Sequence, residues 1–429
     1  MAETLPKIDE TQSKVPARVL LRAAWIAPMT GTPLRDGGIV FSGGRIEAVG
    51  LAKDLRLAFP DAVIEDAGDS IILPGLVNSH THLELSHIRR GDPPVHLADW
   101  IEKTLLPQTA RTGDATPEAV RNAIHAGVRQ CIAFGVTSVG DISKQCIYSR
   151  PALRNGPLRV VSYGEIQAMA QRRGLFEERF AAAADTSCES DWLRVGVTPH
   201  APYTVEPEGY ARCLAFAKAH DRALATHLAE TAEEATFLAS HSGPFRHLWE
   251  VGVNAWDDAV PRFAGGPVRF ARELGLLDYP TLLAHVNYCD DEELAILARG
   301  RASVVYCPRT HEFFGHPPHR WREMLARGIN VAVGTDSCAS SPDLNLVDDL
   351  RLLHRLAAEV PPMLLWEMAT TRAARAVGLP DAGVIRAGCR ADFVAFPCGS
   401  DDPLRQILEQ DILPSGVWAG GRKLSNFNV

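Results

Sequence analysis

The stretch Ile71-Ile72-Leu73-Pro74-Gly75-Leu76-Val77-Asn78-Ser79-His80-Thr81-His82 passes within a few residues from a nearly unbroken apolar run to a pair of histidines. A short run that is apolar on both faces suits a strand of a parallel sheet, buried on either side. Seven further runs of this kind follow, at Gly135–Val139, Leu158–Tyr163, Leu193–Thr198, Ala223–Thr226, Thr281–Ala284, Ala302–Tyr306 and Asn330–Val333. Stretches with apolar residues at helical spacing, such as Pro117–Ala133 and Pro207–His220, lie between them. Strands alternating with helices make βαβ units. Eight units over roughly 300 residues predict an α/β fold closed into a (β/α)8 barrel.

Outside the runs the texture changes. Residues 18–68 hold short alternating segments with glycine turns, including Gly37–Gly50, and the C-terminal end returns to the same pattern at Ala391–Phe396 and Gly416–Leu424. Alternation with period two is the mark of small antiparallel strands. The expected organisation is a flexible tail over residues 1–17, a composite β-sandwich from residues 18–68 and 385–429, and the barrel over residues 69–384.

The 429 residues are 46% hydrophobic and 22% charged, which suffices for a large core. No apolar run reaches the length of a membrane helix, and the first fifteen residues lack the pattern of a signal peptide. A net charge of −8 without a basic run argues against nucleic acid as a partner. Nine scattered cysteines without a C-x-x-C pair argue against disulfides and cysteine zinc sites and suit the cytoplasm. A homodimer is the base-rate expectation for assembly.

In such barrels the functional groups gather at the C-terminal strand ends. There the sequence places His80 and His82 after run one, Gly140-Asp141 after run two, and His200 after run four. His227 follows run five, with Glu230 three residues on; His285 follows run six and Asp336 follows run eight. With fifteen histidines, chance alone gives roughly half of one H-x-H pair, so position carries the argument. In extended chain, residues two apart point the same way, so His80 and His82 can face one centre. Each residue alone also fits a buried histidine or a helix-capping aspartate. Together, imidazoles and a carboxylate suit zinc, with iron as an alternative. Arg309 and His311 follow run seven at the mouth. An arginine there is a candidate partner for a substrate carboxylate or phosphate, set against a loop-bracing role.

The segments LPGLVNSHTHLELS (Leu73–Ser86), TPHAPYTV (Thr198–Val205), THLAET (Thr226–Thr231), LLAHV (Leu282–Val286) and VAVGTDS (Val331–Ser337) resemble the amidohydrolase superfamily. The C-terminal stretch Ala369–Phe396 fits as well. The similar branch holds deaminases of adenosine-type, guanine and cytosine substrates, including methylthioadenosine/S-adenosylhomocysteine deaminase-like and aminodeoxyfutalosine deaminase-like members, and triazine chlorohydrolases. The resemblance implies His80, His82, His227 and Asp336 as metal ligands, Glu230 as proton shuttle, His200 as a substrate contact, and His285 holding the attacking water or the leaving group. It implies one divalent metal per chain, zinc or iron, because the strand-four run LRVGVTPHAPY lacks the lysine that bridges two metals in some members. Two departures stand out. Thr109 in TLLPQTA (Thr104–Ala110) occupies the place of a ribose-binding glutamate, and CPRTHEFFGHPPH (Cys307–His319) replaces the usual Cys-Pro-x-Ser-Asn.

The expected function is a hydrolytic deaminase of an amino-substituted nitrogen heterocycle, an adenosine-like nucleoside, a base or a pterin. Water activated by the metal attacks the ring carbon and ammonia leaves. The alternatives are a hydrolase with another leaving group, such as a chlorohydrolase or cyclic amidohydrolase, and a catalytically inactive barrel that binds a ligand. With Arg309 and His311 as substrate contacts, the expected small-molecule substrate carries an acidic substituent.

Overall fold

The computed structural model describes residues 18–111 and 116–424, apart from the side chains of residues 109–111. The tail expected over residues 1–17 lies outside them. Eight parallel strands form the barrel in chain order: Leu76–Thr81, Val136–Ser143, Arg159–Ile166, Leu193–Pro199, Ala223–Leu228, Thr281–His285, Ser303–Tyr306 and Asn330–Val333. The first and the eighth meet at a single bridge between Thr81 and Asp336, where Asp336 N donates to His80 O at 3.0 Å. Beside the bridge, the Asn78 amide donates to Thr335 Oγ1 at 2.8 Å and accepts from Thr335 N at 3.1 Å. Buried side-chain hydrogen bonds thus complete the ring where main-chain pairing is sparse.

Alternation along the strands sorts the side chains. Val161, Tyr163, Ala225, Leu282, Ala284, Val305 and Ala332 fill the barrel interior. Val160, Val195, Val197, Leu224, Leu283, Val304 and Val331 belong to the core between strands and helices. Each strand is therefore apolar on both faces, and polar groups appear inside only where strands run out at the mouth.

The two chain ends share one mixed sheet of eight strands. Its order is Arg422–Leu424, Gly416–Ala419, Phe393–Pro397, Ser70–Pro74, Val19–Ile26, Leu34–Ser42 and Arg45–Leu51, with Val63–Asp66 also paired to Val19–Ile26. The expected sandwich therefore takes the form of a continuous hydrogen-bonded sheet around Ile26, Ile39, Phe41, Ile72, Ile385, Phe393 and Trp418. The domain boundary also shifts. The run Ile71–Val77 is two strands, and Ile71–Leu73 pair with Phe396–Val394 in the terminal sheet. The switch is made at Gly75: its N–H donates to Asp392 O in the terminal unit, and the next N–H, of Leu76, donates to Gly135 O in the barrel. No helix among the described residues is long and apolar enough to cross a membrane.

Glycine is required at this switch by close approach. A Cβ on Gly75 would lie 2.1 Å from Thr137 Oγ1 and 2.5 Å from its Cγ2. Gly75→Ala is expected to destabilise the protein by about 1–3 kcal/mol, the usual cost of overpacking. Urea unfolding measures it; an unchanged midpoint would show that Thr137 yields freely.

Candidate functional site

At the mouth, the strands turn sharply in the places where their side chains meet. His285, Val286 and Asp336 have positive φ values of 73°, 51° and 58°, and Ala229, after the fifth strand, has 51°. Such backbone costs about 1–3 kcal/mol per residue and persists where the surroundings enforce it. Here they do: Val286 N donates to Leu228 O, Tyr288 N to Ala229 O and Asp336 N to His80 O.

His80 Nε2 lies 3.7 Å and His82 Nε2 lies 3.6 Å from Asp336 Oδ1. His227 Nε2 lies 3.3 Å from His82 Nε2. Ligand atoms of His80, His82 and Asp336, and of His80, His227 and His285, fall within 4.8 Å of one another. Both ring nitrogens of the fully buried His80 lack a protein partner. His227 Nδ1 lies 3.2 Å from His200 O and donates to it, which leaves the Nε2 lone pair facing His82. Two lone pairs at that distance call for a shared proton or a cation. Burial and neighbouring imidazoles hold His80 and His227 well below the ordinary value of 6.5 and push His82 down to about 3. Protonation is thereby disfavoured, and three neutral imidazoles with a carboxylate fit a divalent metal. Asp336, raised to about 6 by burial, accepts from Ser340 Oγ at 3.1 Å through Oδ2, and Thr310 Oγ1 lies 2.9 Å from that hydroxyl.

Glu230 and His285 face each other, Oε1 to Nε2, at 3.6 Å. Burial first, and then Asp336 and Glu234, push the Glu230 carboxyl well above its usual range, so the protonated acid is favoured. Tyr203 Oη reaches Glu230 Oε2 at 3.4 Å. The backbone of Glu230 is braced on both sides: its N–H and that of Ala229 donate to the two oxygens of buried Glu234, each at 3.0 Å, and its carbonyl accepts from Asn287 Nδ2 at 2.9 Å. His200 lies beside the cluster, its ring tilted and 4.7 Å from that of His227, with Nδ1 2.8 Å from Thr204 Oγ1. His311 Nδ1 lies 3.1 Å from Asn287 Oδ1, one side chain removed from the Glu230 carbonyl. Sequence reasoning passed over Glu234, Asn287 and Tyr203. Glu234 had a signal, its place four residues after Glu230, in the first turn of the helix Ala232–Ser240 that follows.

Arg309 is not brought to this cluster, which corrects its expected role as a substrate contact. Its Nε donates to Asp349 at 3.0 Å, one terminal nitrogen to Asp343 at 2.7 Å, and the other to the carbonyls of Asp343 and Asn345, each at 3.0 Å. The guanidinium is consumed in joining helix Pro308–Phe313 to the start of helix Leu346–Leu356. The acidic substituent expected on the substrate loses its support with it. Asp349 is wholly buried, so Arg309→Met would strand its charge. The expected loss is about 3–5 kcal/mol of stability, read by chemical denaturation, with no selective effect on acidic substrates. A stable variant that loses only an acidic substrate would restore the binding role.

Comparison with known proteins bears on the family and the fold. The profile of the amidohydrolase family matches residues 71–423. The 5-methylthioadenosine/S-adenosylhomocysteine deaminase of Moorella thermoacetica is 29% identical over 392 residues, covering 88% of this chain and 85% of its own. Aminofutalosine deaminase of Helicobacter pylori, solved with methylthio-coformycin, superposes with a TM-score of 0.83 at 22% identity, over 95% of this chain and 100% of that one. A zinc-bound adenosine deaminase of Xanthomonas campestris superposes with a TM-score of 0.77 at 22% identity, over 94% of this chain and 92% of that one. A profile match spanning both the barrel and the returning C-terminal strands leaves one assignment: the chain belongs to the amidohydrolase family.

Proposed function

We propose that this protein is a metal-dependent hydrolytic deaminase of adenosine-like compounds. The observation that carries the reading is the buried cluster in which ligand atoms of His80, His82 and Asp336, and of His80, His227 and His285, lie within 4.8 Å of one another, with the Glu230 carboxyl 3.6 Å from His285 beside it. Similarity to the methylthioadenosine/S-adenosylhomocysteine deaminase of Moorella thermoacetica over most of both chains supports the substrate class. Zinc, one ion per chain, suits the three imidazoles and one carboxylate, with iron as the second choice.

A divalent cation in such a site acidifies water to a pKa near about 7. The remaining work falls to the side chains. Asp336 accepts the proton of the attacking water. His285 orients that water by a hydrogen bond through Nε2, which has no protein partner. Glu230 gives its proton to the ring nitrogen next to the amine-bearing carbon, and that carbon becomes more electrophilic. After addition of water, the proton held by Asp336 passes to the amine, which leaves as ammonia, and the proton of the added hydroxyl returns to Glu230 as the carbonyl forms. Glu234 and Asn287 keep the Glu230 backbone in place during these transfers.

Ammonia release from 5′-methylthioadenosine, S-adenosylhomocysteine and 5′-deoxyadenosine tests the proposal directly; no turnover of any aminopurine nucleoside would overturn it. Elemental analysis is expected to give about one zinc or iron per chain, reduced in His227→Ala. Two tightly held metals would reject the mononuclear site. Glu230→Gln is expected to keep its metal and lose at least about a hundredfold in turnover. Near-normal turnover would assign Glu230 a structural role.

A further inference from the structure

Two imidazoles from one segment hold the main chain of the two groups that face each other beside the metal cluster. His319 Nε2 donates to the carbonyl of His285 at 3.0 Å. The carbonyl of Glu230 accepts from Asn287 Nδ2 at 2.9 Å, and His311 Nδ1 lies 3.1 Å from Asn287 Oδ1. Only the nitrogen of an amide can meet a carbonyl, so Oδ1 is turned to His311 and Nδ1 carries the proton of that bond. Both histidines are buried, and both come from Cys307–His319, the stretch that replaces Cys-Pro-x-Ser-Asn.

The backbone they hold is of the kind that relaxes when released. Ala229, His285 and Val286 all have positive φ. On the side of the fifth strand, main-chain bonds from Val286 N to Leu228 O and from Tyr288 N to Ala229 O tie the turns together. On the side of the seventh strand, the ladder of the sixth ends at Ala284 and Val305. Past that point His311 and His319 reach across instead. One phenol seats both rings: His319 stacks on Tyr306 with centroids 4.0 Å apart, and His311 meets the same ring edge-on at 5.2 Å. Burial pushes His311 down to about 3 and His319 down to about 4, which favours neutral rings with one N–H each to give.

We infer that His311 and His319 are positioning residues for the proton transfers, fixing the 3.6 Å approach of Glu230 to His285 from the main-chain side. The inference rests on the deaminase reading above. In that reading Glu230 must reach a ring nitrogen while His285 holds the water, so the spacing between them has to be set by the protein. A displacement of about 1 Å at such a pair costs on the order of a hundredfold in rate. Each imidazole acts through a carbonyl, directly for His285 and through the Asn287 amide for Glu230. The Nδ1 proton of His311 is spent on Asn287, so the role of substrate contact expected for His311 gives way to this one.

The two donors sit at different points of their rings, which separates positioning from mere bulk. An asparagine places its amide nitrogen where Nδ1 stands, and a glutamine places its own where Nε2 stands. With metal-loaded protein and adenosine or 5′-methylthioadenosine, His311→Leu and His319→Leu are expected to lower kcat by roughly 10- to 100-fold, with KM within about threefold and metal content unchanged. His311→Asn and His319→Gln are expected to recover kcat to within about threefold of the wild type, while the exchanged variants His311→Gln and His319→Asn stay low. These four amide variants also decide the matter if the leucine variants do not fold. In an Asn287→Leu background, His311→Leu is expected to lower kcat by less than about twofold further, since the link is already cut. Wild-type kcat in either leucine variant, a loss confined to KM, or equal kcat from asparagine and glutamine at either position would overturn the assignment while leaving the deaminase reading intact. Turnover of no aminopurine nucleoside by the wild type would overturn both.

Discussion

The seam between the first and eighth strands is the constraint on which the site depends. Main-chain pairing there shrinks to the bridge between Thr81 and Asp336, and the Asn78–Thr335 side-chain pair completes the junction. Closing the ring carries the aspartate from one end of the barrel sequence against the two histidines from the other. The bond from Asp336 N to His80 O is thus both a barrel contact and the link that sets one candidate ligand on another. Loosening the seam would disperse the ligands, so closure and chemistry are fixed by the same few atoms.

Burial then sets the charge states. The imidazoles are shifted towards their neutral form, and the Glu230 carboxyl towards its protonated form. Both shifts have the same first cause, removal of the charged form from water, and they act in opposite directions because one group is a base cation and the other an acid anion. One buried cluster thereby sets electron-pair donors and a carboxylic acid side by side. No separate device is needed for each.

Much of this was legible in the sequence because barrel strands are apolar throughout and stop being so at the mouth. His80, His82, His227, His285 and Asp336 were found as the polar residues where each run ends. The same logic failed where local sequence is silent about tertiary direction. Ile71–Val77 reads as one run, and only the divergent hydrogen bonds of Gly75 and Leu76 divide it between two sheets. Arg309 follows a strand end as a binding residue would, yet Asp343 and Asp349, far along the chain, claim it. His319 escaped notice for the opposite reason. It stands well past the end of its strand, Ser303–Tyr306, and only the return of the chain brings its Nε2 to the carbonyl of His285.

The terminal sheet imposes an order on how the chain is made. Strand Ser70–Pro74 leads directly into the first barrel strand, but its antiparallel neighbour Phe393–Pro397 leaves the ribosome only after all eight barrel strands. Until then Ile71, Ile72 and Leu73 present an unpaired apolar edge, the kind of surface that recruits other chains. The nascent barrel must therefore persist with one flank open through most of synthesis. Its last step is a long-range pairing between segments from nearly opposite ends of the polypeptide, a slow class of contact.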